Sequence, residues 1–281
     1  MTLNDAISVD EVGIQTGRYG AFHLKSAYQP IWRNRDGMLF PEAVEALLRV
    51  FRDGTPVPPL DFLASVAPDD RFRVECICRA LHMRNYNNIN VPGLMMFFNY
   101  DPRVNGDLEL STAQLGYLAE RLDHAGVDIR LLICEITEAD FLDRDTFVRL
   151  AAEIRRLGMR LAIDDFGAGH STLARVQTVE PDVVKFDGAF FRRVAEEPGA
   201  LRLLSKLVAG FQDSGALVVL EGIETSSQLA AATETGADYL QGFLLGKPAL
   251  AGSIYDTAPV PLARFTEPGE RVPRIHPGFG K

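Results

Sequence analysis

Cysteine is scarce in this chain of 281 residues, which contains only Cys76, Cys78 and Cys134. An odd and sparse count of cysteines is typical of a reducing compartment, so we expect a cytoplasmic protein. Cys76 and Cys78 lie too close together to suggest a zinc site, and no further Cys or His stands at a suitable spacing. The cysteines therefore predict no zinc site.

Long apolar runs are also missing. No segment has the unbroken apolar length of a membrane span, so we expect no membrane contact. Residues 1–10 carry acids and no apolar core, which is not the pattern of a signal peptide.

Positive charge is in deficit, with 29 Lys and Arg against 38 Asp and Glu and a formal net charge of −9. A nucleic-acid duplex binds to a basic face, so we expect no duplex partner. A small phosphorylated ligand stays compatible with this composition, because metal ions can reverse the local charge.

What the chain does have is 47% apolar residues, which is ample for the core of one large α/β domain or two small ones. From about residue 94 to 250, apolar runs alternate with segments of helical period, which predicts parallel strands with helical crossovers. Residues 21–31 alternate loosely and predict a first strand. We interpret residues 1–20 as a flexible or partly docked N-terminal arm, 21–250 as the domain and 251–281 as a C-terminal tail.

Six of the short apolar runs end in polar residues. Those residues are Asn99, Glu135 with Glu138, Asp164 with Asp165, Lys185 with Asp187, Glu221 with Glu224, and Gln241. In a (β/α) barrel the carboxyl ends of the strands converge on the one face that carries the chemistry. We therefore expect these side chains to meet on that face.

The segment after the apolar run Leu161–Ile163 places two carboxylates side by side, Asp164 and Asp165. Two adjacent ionised carboxylates at the end of a buried strand are unfavourable unless a positive charge lies between them. A hard divalent cation such as Mg²⁺, Mn²⁺ or Ca²⁺ suits their oxygen atoms. Taken alone, the pair suits a helix N-terminus equally well.

Several other charged residues have structural alternatives. These are a helical i,i+4 pair for Glu45 and Arg49, a structural ion pair for Lys185 and Asp187, and first-turn helix acids for Glu138 and Glu224.

Taken in order, the motifs resemble those of the EAL-domain family of bacterial cyclic-di-GMP phosphodiesterases. They are Tyr28-Gln-Pro-Ile31, Glu45-Ala-Leu-Leu-Arg49, Asn99, Glu135-Ile-Thr-Glu138, Asp164-Asp-Phe-Gly167, Lys185-Phe-Asp187, Glu221-Gly-Ile-Glu224 and Gln241-Gly-Phe243. The resemblance covers about residues 21–250. It implies a TIM-like (β/α)8 barrel with one antiparallel strand, and hydrolysis of cyclic-di-GMP to linear pGpG.

The resemblance also implies Mg²⁺ or Mn²⁺ as cofactor, two ions per site. The first ion would be bound by Glu45, Asn99, Glu135 and Asp164, and the second by Asp164, Asp165 and Glu221. Catalytic roles are implied for Lys185, which would orient the attacking water, for Glu221, and for Glu138, which would hold the loop after Asp165. Ligand contacts are implied for Gln29, Arg49, Asp187, Glu224 and Gln241. The family further implies a homodimer, and the short N-terminal arm suggests a separate sensor protein.

The sequence departs from the family pattern in the loop 167–172, at Tyr100 after Asn99, and at Leu220 before Glu221, and none of these changes removes an oxygen ligand. The alternative function is a catalytically silent cyclic-di-GMP receptor that acts through a protein partner. An enolase-type barrel enzyme would explain Lys185, but not the pair of adjacent aspartates.

Overall fold

The computed structural model describes residues 4–102, 108–124, 126–137, 144–169 and 173–266. The strands, in chain order, are β1 (Ile7–Val9), β2 (Gln15–Tyr19), β3 (Phe22–Arg35), β4 (Met38–Arg52), β5 (Thr55–Val57), β6 (Met95–Asn99), β7 (Leu132–Thr137), β8 (Arg160–Phe166), β9 (Val183–Phe186), β10 (Leu217–Leu220), β11 (Tyr239–Leu240), β12 (Ala249–Leu250) and β13 (Val260–Pro261). The helices are α1 (Pro59–Ser65), α2 (Pro68–Tyr86), α3 (Leu108–His124), α4 (Arg144–Arg156), α5 (Leu173–Val179), α6 (Gly188–Ala195), α7 (Pro198–Asp213), α8 (Ser226–Glu234) and α9 (Ala263–Thr266).

Eight strands close into a barrel in the order β3-β11-β10-β9-β8-β7-β6-β4, and β4 pairs back to β3. Neighbouring strands are parallel from β4 through β6 to β11, whereas β3 is antiparallel to both of its barrel neighbours. The predicted TIM-like barrel with one antiparallel strand is therefore confirmed.

The parallel strands read as continuous apolar runs because both of their faces are covered. One face fills the barrel interior with a separate apolar cluster that includes Phe97, Ile133, Ala162, Val183 and Val219. The other face packs against the surrounding helices in the largest core of the molecule. Parallel strands buried on both faces are expected to lack the alternation that marks a half-exposed strand.

The helices around the barrel follow the predicted apolar periodicity. In α4, Phe147, Leu150 and Ile154 are buried on one face. Gly158, with φ of +88°, follows the end of this helix, and the amides of Gly158 and Met159 bond to carbonyls in its last turn. Helices α5 and α6 were not predicted, because they span only seven and eight residues and show little periodicity.

One structural alternative needs correction. Glu45 and Arg49 lie in strand β4, so the helical i,i+4 alternative for this pair is wrong. The pairing of β4 with β3 begins at Met38 and extends to Arg52. At α1, Pro58 occupies the N-cap position and Asp61 lies in the first turn.

The two ends of the described chain join the same sheet. In the segment interpreted as an arm, β1 and β2 add two antiparallel strands beside β3. In the segment interpreted as a tail, β13 pairs with β4, and α9 follows it. Among the described residues, no helix is both long enough and apolar enough to cross a bilayer.

Candidate active site

Each of the eight barrel strands contributes one polar side chain to a single layer at the carboxyl end of the parallel strands. Each of these residues lies two positions from an apolar residue of the interior cluster, on the carboxyl-terminal side in the parallel strands and on the amino-terminal side in β3. Because side chains two residues apart share a face of a strand, the polar layer sits directly on the apolar one. Its members are Gln29, Glu45, Asn99, Glu135, Asp164, Lys185, Glu221 and Gln241.

Lys185 lies at the centre of this layer and is 1% exposed. Its Nζ lies 2.6 Å from Glu221 Oε1, 3.4 Å from Asp164 Oδ1 and 3.7 Å from Glu45 Oε2, and it also contacts Glu135 Oε1. Four carboxylates from four different strands therefore surround one buried ammonium group.

The electrostatics follow from one cation shared by four acids. Burial alone would lower the pKa of Lys185, but the carboxylates, led by Asp164 and Glu135, raise it well above its usual range. Burial raises the pKa of Glu135 well above its usual range, although Lys185 opposes the shift. For the same reason the pKa of Glu221 rises to about 8. The lysine thus keeps its proton, while the acids cannot all ionise at once.

A hydrogen bond from Gln241 fixes Glu45. Gln241 Nε2 donates to Glu45 Oε2 over 2.7 Å, and both residues are buried. Gln29 lies opposite Glu45 in the β3–β4 pairing and donates to the carbonyl of Gly246 over 3.1 Å. These contacts tie the antiparallel strand and the segment after β11 to the carboxylate cluster.

The adjacent aspartates point in different directions because the backbone turns between them. Asp165 has φ of +57°, and its amide donates to Asp164 Oδ1 over 2.9 Å. Asp164 stays buried in the polar layer, whereas Asp165 is exposed. The carboxyl group of Asp165 is nonetheless partly desolvated. This desolvation and the neighbouring Asp164 raise the pKa of Asp165 to about 6. The pair is thus held at the end of a buried strand and not at the start of a helix.

The oxygen atoms of this layer suit a divalent metal ion. Glu135 Oε2 is buried and receives no hydrogen bond from any described residue, and an unpartnered acceptor of this kind suits a hard cation. Across the described residues, no three acids, histidines or cysteines are already gathered into a ligand cage. The carboxylates converge instead on Lys185, whose ammonium supplies the positive charge.

Comparison with known proteins agrees with this geometry. A model of the EAL domain matches residues 18–248. The chain belongs to the EAL domain family. It is 28% identical over 200 residues to the cyclic di-GMP phosphodiesterase PdeR of Escherichia coli K12, a match that covers 68% of this chain. It is 30% identical over 241 residues to the oxygen sensor protein DosP of the same organism, covering 82% of this chain.

The EAL chain spans 29% of the length of each of these two relatives. Among solved structures, BlrP1 of Klebsiella pneumoniae in a complex with manganese and cyclic di-GMP superposes with a TM-score of 0.74 at 28% identity. That match covers 85% of this chain and 59% of BlrP1. The conserved barrel is thus one part of larger proteins in these cases.

Asn99 of the polar layer and Arg49 beyond it are more accessible than the buried residues around Lys185. Asn99 ends β6 and is exposed. Arg49 is half-buried further along β4, where burial lowers its pKa while Glu45 opposes the shift. Glu138, expected to act in catalysis, lies outside the described residues.

Asp187 and Glu224 stand outside the cluster around Lys185. The Asp187 carboxylate caps α6 by accepting a hydrogen bond from the amide of Phe190 over 2.7 Å. Glu224 is exposed, lies 3.6 Å from Arg192, and precedes the capping box that begins α8. The structure therefore gives Asp187 a local structural contact instead of an ion pair with Lys185.

Proposed function

We propose that this EAL domain hydrolyses cyclic di-GMP to linear pGpG with the help of Mg²⁺ or Mn²⁺. The observation that carries the proposal is the group of four carboxylates around a buried lysine at the carboxyl end of the barrel strands. The name of PdeR and the manganese and cyclic di-GMP in the BlrP1 complex support this choice of substrate and cofactor.

Six residues would hold two metal ions, and Asp164 belongs to both ligand sets. The first ion would be bound by Glu45, Asn99, Glu135 and Asp164, and the second by Asp164, Asp165 and Glu221. A pair of divalent ions, when bound, lowers the pKa of a water molecule and neutralises phosphate oxygens. The unpartnered Oε2 of Glu135 and the exposed carboxylate of Asp165 are consistent with these assignments.

Residues of the chain would orient the attacking water beside the phosphate and take up its proton. Lys185, held charged by its acidic neighbours, would donate a hydrogen bond to the attacking water and keep its lone pair directed at phosphorus. The water oxygen forms a bond to phosphorus while the bond from phosphorus to the 3′ oxygen breaks. The water gives one proton to a carboxylate such as Glu221, and the 3′ oxygen takes up a proton from that carboxylic acid or from solvent. The products are a 5′-phosphate and a 3′-hydroxyl, as in pGpG.

Gln241 would act by holding Glu45 in place. Its amide already donates to Glu45 Oε2, so the other oxygen of Glu45 stays available to a cation. Substituting a residue that holds a metal ligand by the ligand's second oxygen or nitrogen commonly weakens metal binding by about 10- to 100-fold.

A product assay tests the proposal directly. The purified protein is incubated with cyclic di-GMP and Mg²⁺, Mn²⁺ or chelator, and the products are separated by ion-pair chromatography. We expect pGpG to form only with metal, and Glu45→Gln, which keeps the shape of the side chain, to form none. Saturable binding of an intact dinucleotide without product would favour the receptor alternative, and neither binding nor product would refute both.

Substitution of Asp165 separates the two-metal reaction from other schemes. We expect Asp165→Asn to lose turnover while still binding the dinucleotide, because Asp165 would serve only the second ion. Full turnover in this variant would contradict the two-metal assignment. A homodimer is a further proposal from the family, and sedimentation of the purified chain tests it.

A further inference from the structure

Strand β4 continues above the catalytic face of the barrel. Its last paired residue with β6 is Ala46, yet the strand extends to Arg52 while still paired with β3. Strands β2 to β5 therefore form a ribbon that projects beyond the polar layer. Arg49, four residues after Glu45, lies about 13 Å further along the strand.

One face of this ribbon is covered by α2, and the other is only partly buried. Leu24 and Val50, on the covered face, pack with Ile77 and Leu81 of α2 in a second apolar core. Directly paired residues share a face, as do residues two apart along a strand. The opposite face therefore begins with Glu45 and continues outward from the active site.

The face that it shares with Glu45 carries three cations. Lys25 pairs directly with Arg49, and His23 pairs with both Phe51 and Arg18. Lys25 Nζ lies 5.5 Å from the centre of the Phe51 ring, and such a contact holds an ammonium group over an aromatic face. Arg18, Lys25 and Arg49 thus line one side of the ribbon.

None of these three cations forms a salt bridge with an acid among the described residues. Within the described residues, no carboxylate oxygen lies within 4 Å of Arg18, Lys25 or Arg49. The arginines donate instead to backbone carbonyls, Arg18 to Gly20 and Arg49 to Leu48. In a chain with nine more acids than bases, a group of unpaired cations above a cluster of carboxylates is a distinct electrostatic feature.

We propose that Lys25 and Arg18, together with Arg49, form an electropositive approach surface that attracts the phosphates of the dinucleotide toward the active site. This inference rests on the proposed function, since cyclic di-GMP carries two negative phosphates. Without such a surface, the acidic layer and the net charge of the domain would repel a dianion. Fixed charges near the mouth of a site raise the rate of encounter, and the effect declines with salt.

The expected effect of Lys25 is modest and salt-dependent. A unit charge about 13 Å from a dianion in water changes the association rate about two- to threefold at low ionic strength. Charge reversal in Lys25→Glu doubles the change in interaction energy, which squares the factor to about four- to ninefold. At about 0.5 M salt the difference should disappear, because the screening length falls well below this distance.

Arg52→Glu is the matched control. Arg52 lies on the same ribbon but on the opposite face, where its guanidinium lies 5.7 Å from the centre of the Phe22 ring. It makes the same change of net charge without changing the approach surface. We therefore expect it to alter the association rate much less than Lys25→Glu.

Stopped-flow fluorescence with MANT-labelled cyclic di-GMP in the presence of CaCl₂ measures the association rate across a series of salt concentrations. We expect Lys25→Glu to slow association at low salt and to reduce the slope against ionic strength, with kcat at saturating substrate kept. Equal rates and slopes for Lys25→Glu and Arg52→Glu would overturn the inference while leaving hydrolysis intact. If the wild-type protein neither binds nor hydrolyses the dinucleotide, it is the proposed function that fails.

Discussion

Replacing Lys185 with Met should destabilise the metal-free protein in a way that depends on pH and on metal. The substitution keeps the length of the side chain but removes the cation that contacts Glu45, Glu135, Asp164 and Glu221. At an effective dielectric constant of about 20, each of the three longer contacts contributes roughly 4–6 kcal/mol of gross attraction. Desolvation offsets most of it, and removing one member of a buried ionic group costs about 3–5 kcal/mol.

The pH dependence has a definite sign. Without Lys185 the carboxyl groups can stay buried only by binding protons, so their pKa values in the folded state lie above those in the unfolded state. A raised carboxyl pKa means that stability is lost as the pH rises above the unfolded value of about 4.3. We therefore expect the free energy of unfolding of Lys185→Met to lie about 3–5 kcal/mol below that of wild type at pH 8, and much closer to it at pH 5.

Urea unfolding followed by circular dichroism, at pH 5 and pH 8 with and without Mn²⁺, measures this effect. Mn²⁺ should narrow the gap to wild type at pH 8, because a bound cation replaces the lost charge. Lys247→Met, at an exposed lysine, is the control and should change stability by less than about 0.5 kcal/mol. A loss for Lys185→Met that is equal at both pH values and indifferent to Mn²⁺ would refute the reasoning.

Three further predictions concern metal affinity and a second buried group. Gln241→Leu should weaken Mn²⁺ binding about 10- to 100-fold by freeing Glu45, as measured by isothermal titration calorimetry; unchanged affinity would show that Gln241 does not orient Glu45. Because the pKa of Asp165 rises to about 6 and that of Glu221 to about 8, Mn²⁺ binding near pH 7 should release protons and strengthen as the pH rises; calorimetry in two buffers of different ionisation enthalpy would detect this, and identical heats would contradict it. Burial lowers the pKa of His82 from 6.5 to about 4, beside Ser26 Oγ at 3.0 Å. Wild-type stability should therefore fall by about 3 kcal/mol as the pH drops from 6.5 to 4, and unfolding curves of His82→Gln should lack that part of the slope.

The parallel part of the barrel could be predicted from the sequence because its strands are short apolar runs that end abruptly. The run before Asp164 and the run before Glu221 each match an observed strand. Periodicity in the longer helices was equally readable, as in α4. Residues 4–19 and the strand that contains Glu45 were harder, because half-exposed antiparallel strands mix polar and apolar residues and carry little sequence signal.

The residues of the polar layer could be predicted only in part from the sequence. Six of its residues follow apolar runs, but Gln29 and Glu45 do not. Glu45 suited a helical pair with Arg49 equally well, and Gln29 came from the family resemblance alone. The approach surface was missed for the same reason. Lys25 becomes conspicuous only once β3 and β4 are known to pair in register, since its relation to Arg49 depends on contacts across 24 residues. Had that segment been recognised as a strand, the alternation of its side chains would have placed Arg49 on the same face as Glu45.

The reversed direction of β3 decides which end of the barrel the preceding chain reaches. Phe22, at the start of β3, pairs with Arg52 above the catalytic face, and Arg35, at its end, pairs with Met38 at the far side. In a barrel of uniformly parallel strands, a segment that leads into the first strand arrives at the side away from the chemistry. Here the same segment arrives beside the carboxyl ends of the parallel strands, next to the part of β3 that carries Lys25 and Gln29 and pairs with Glu45.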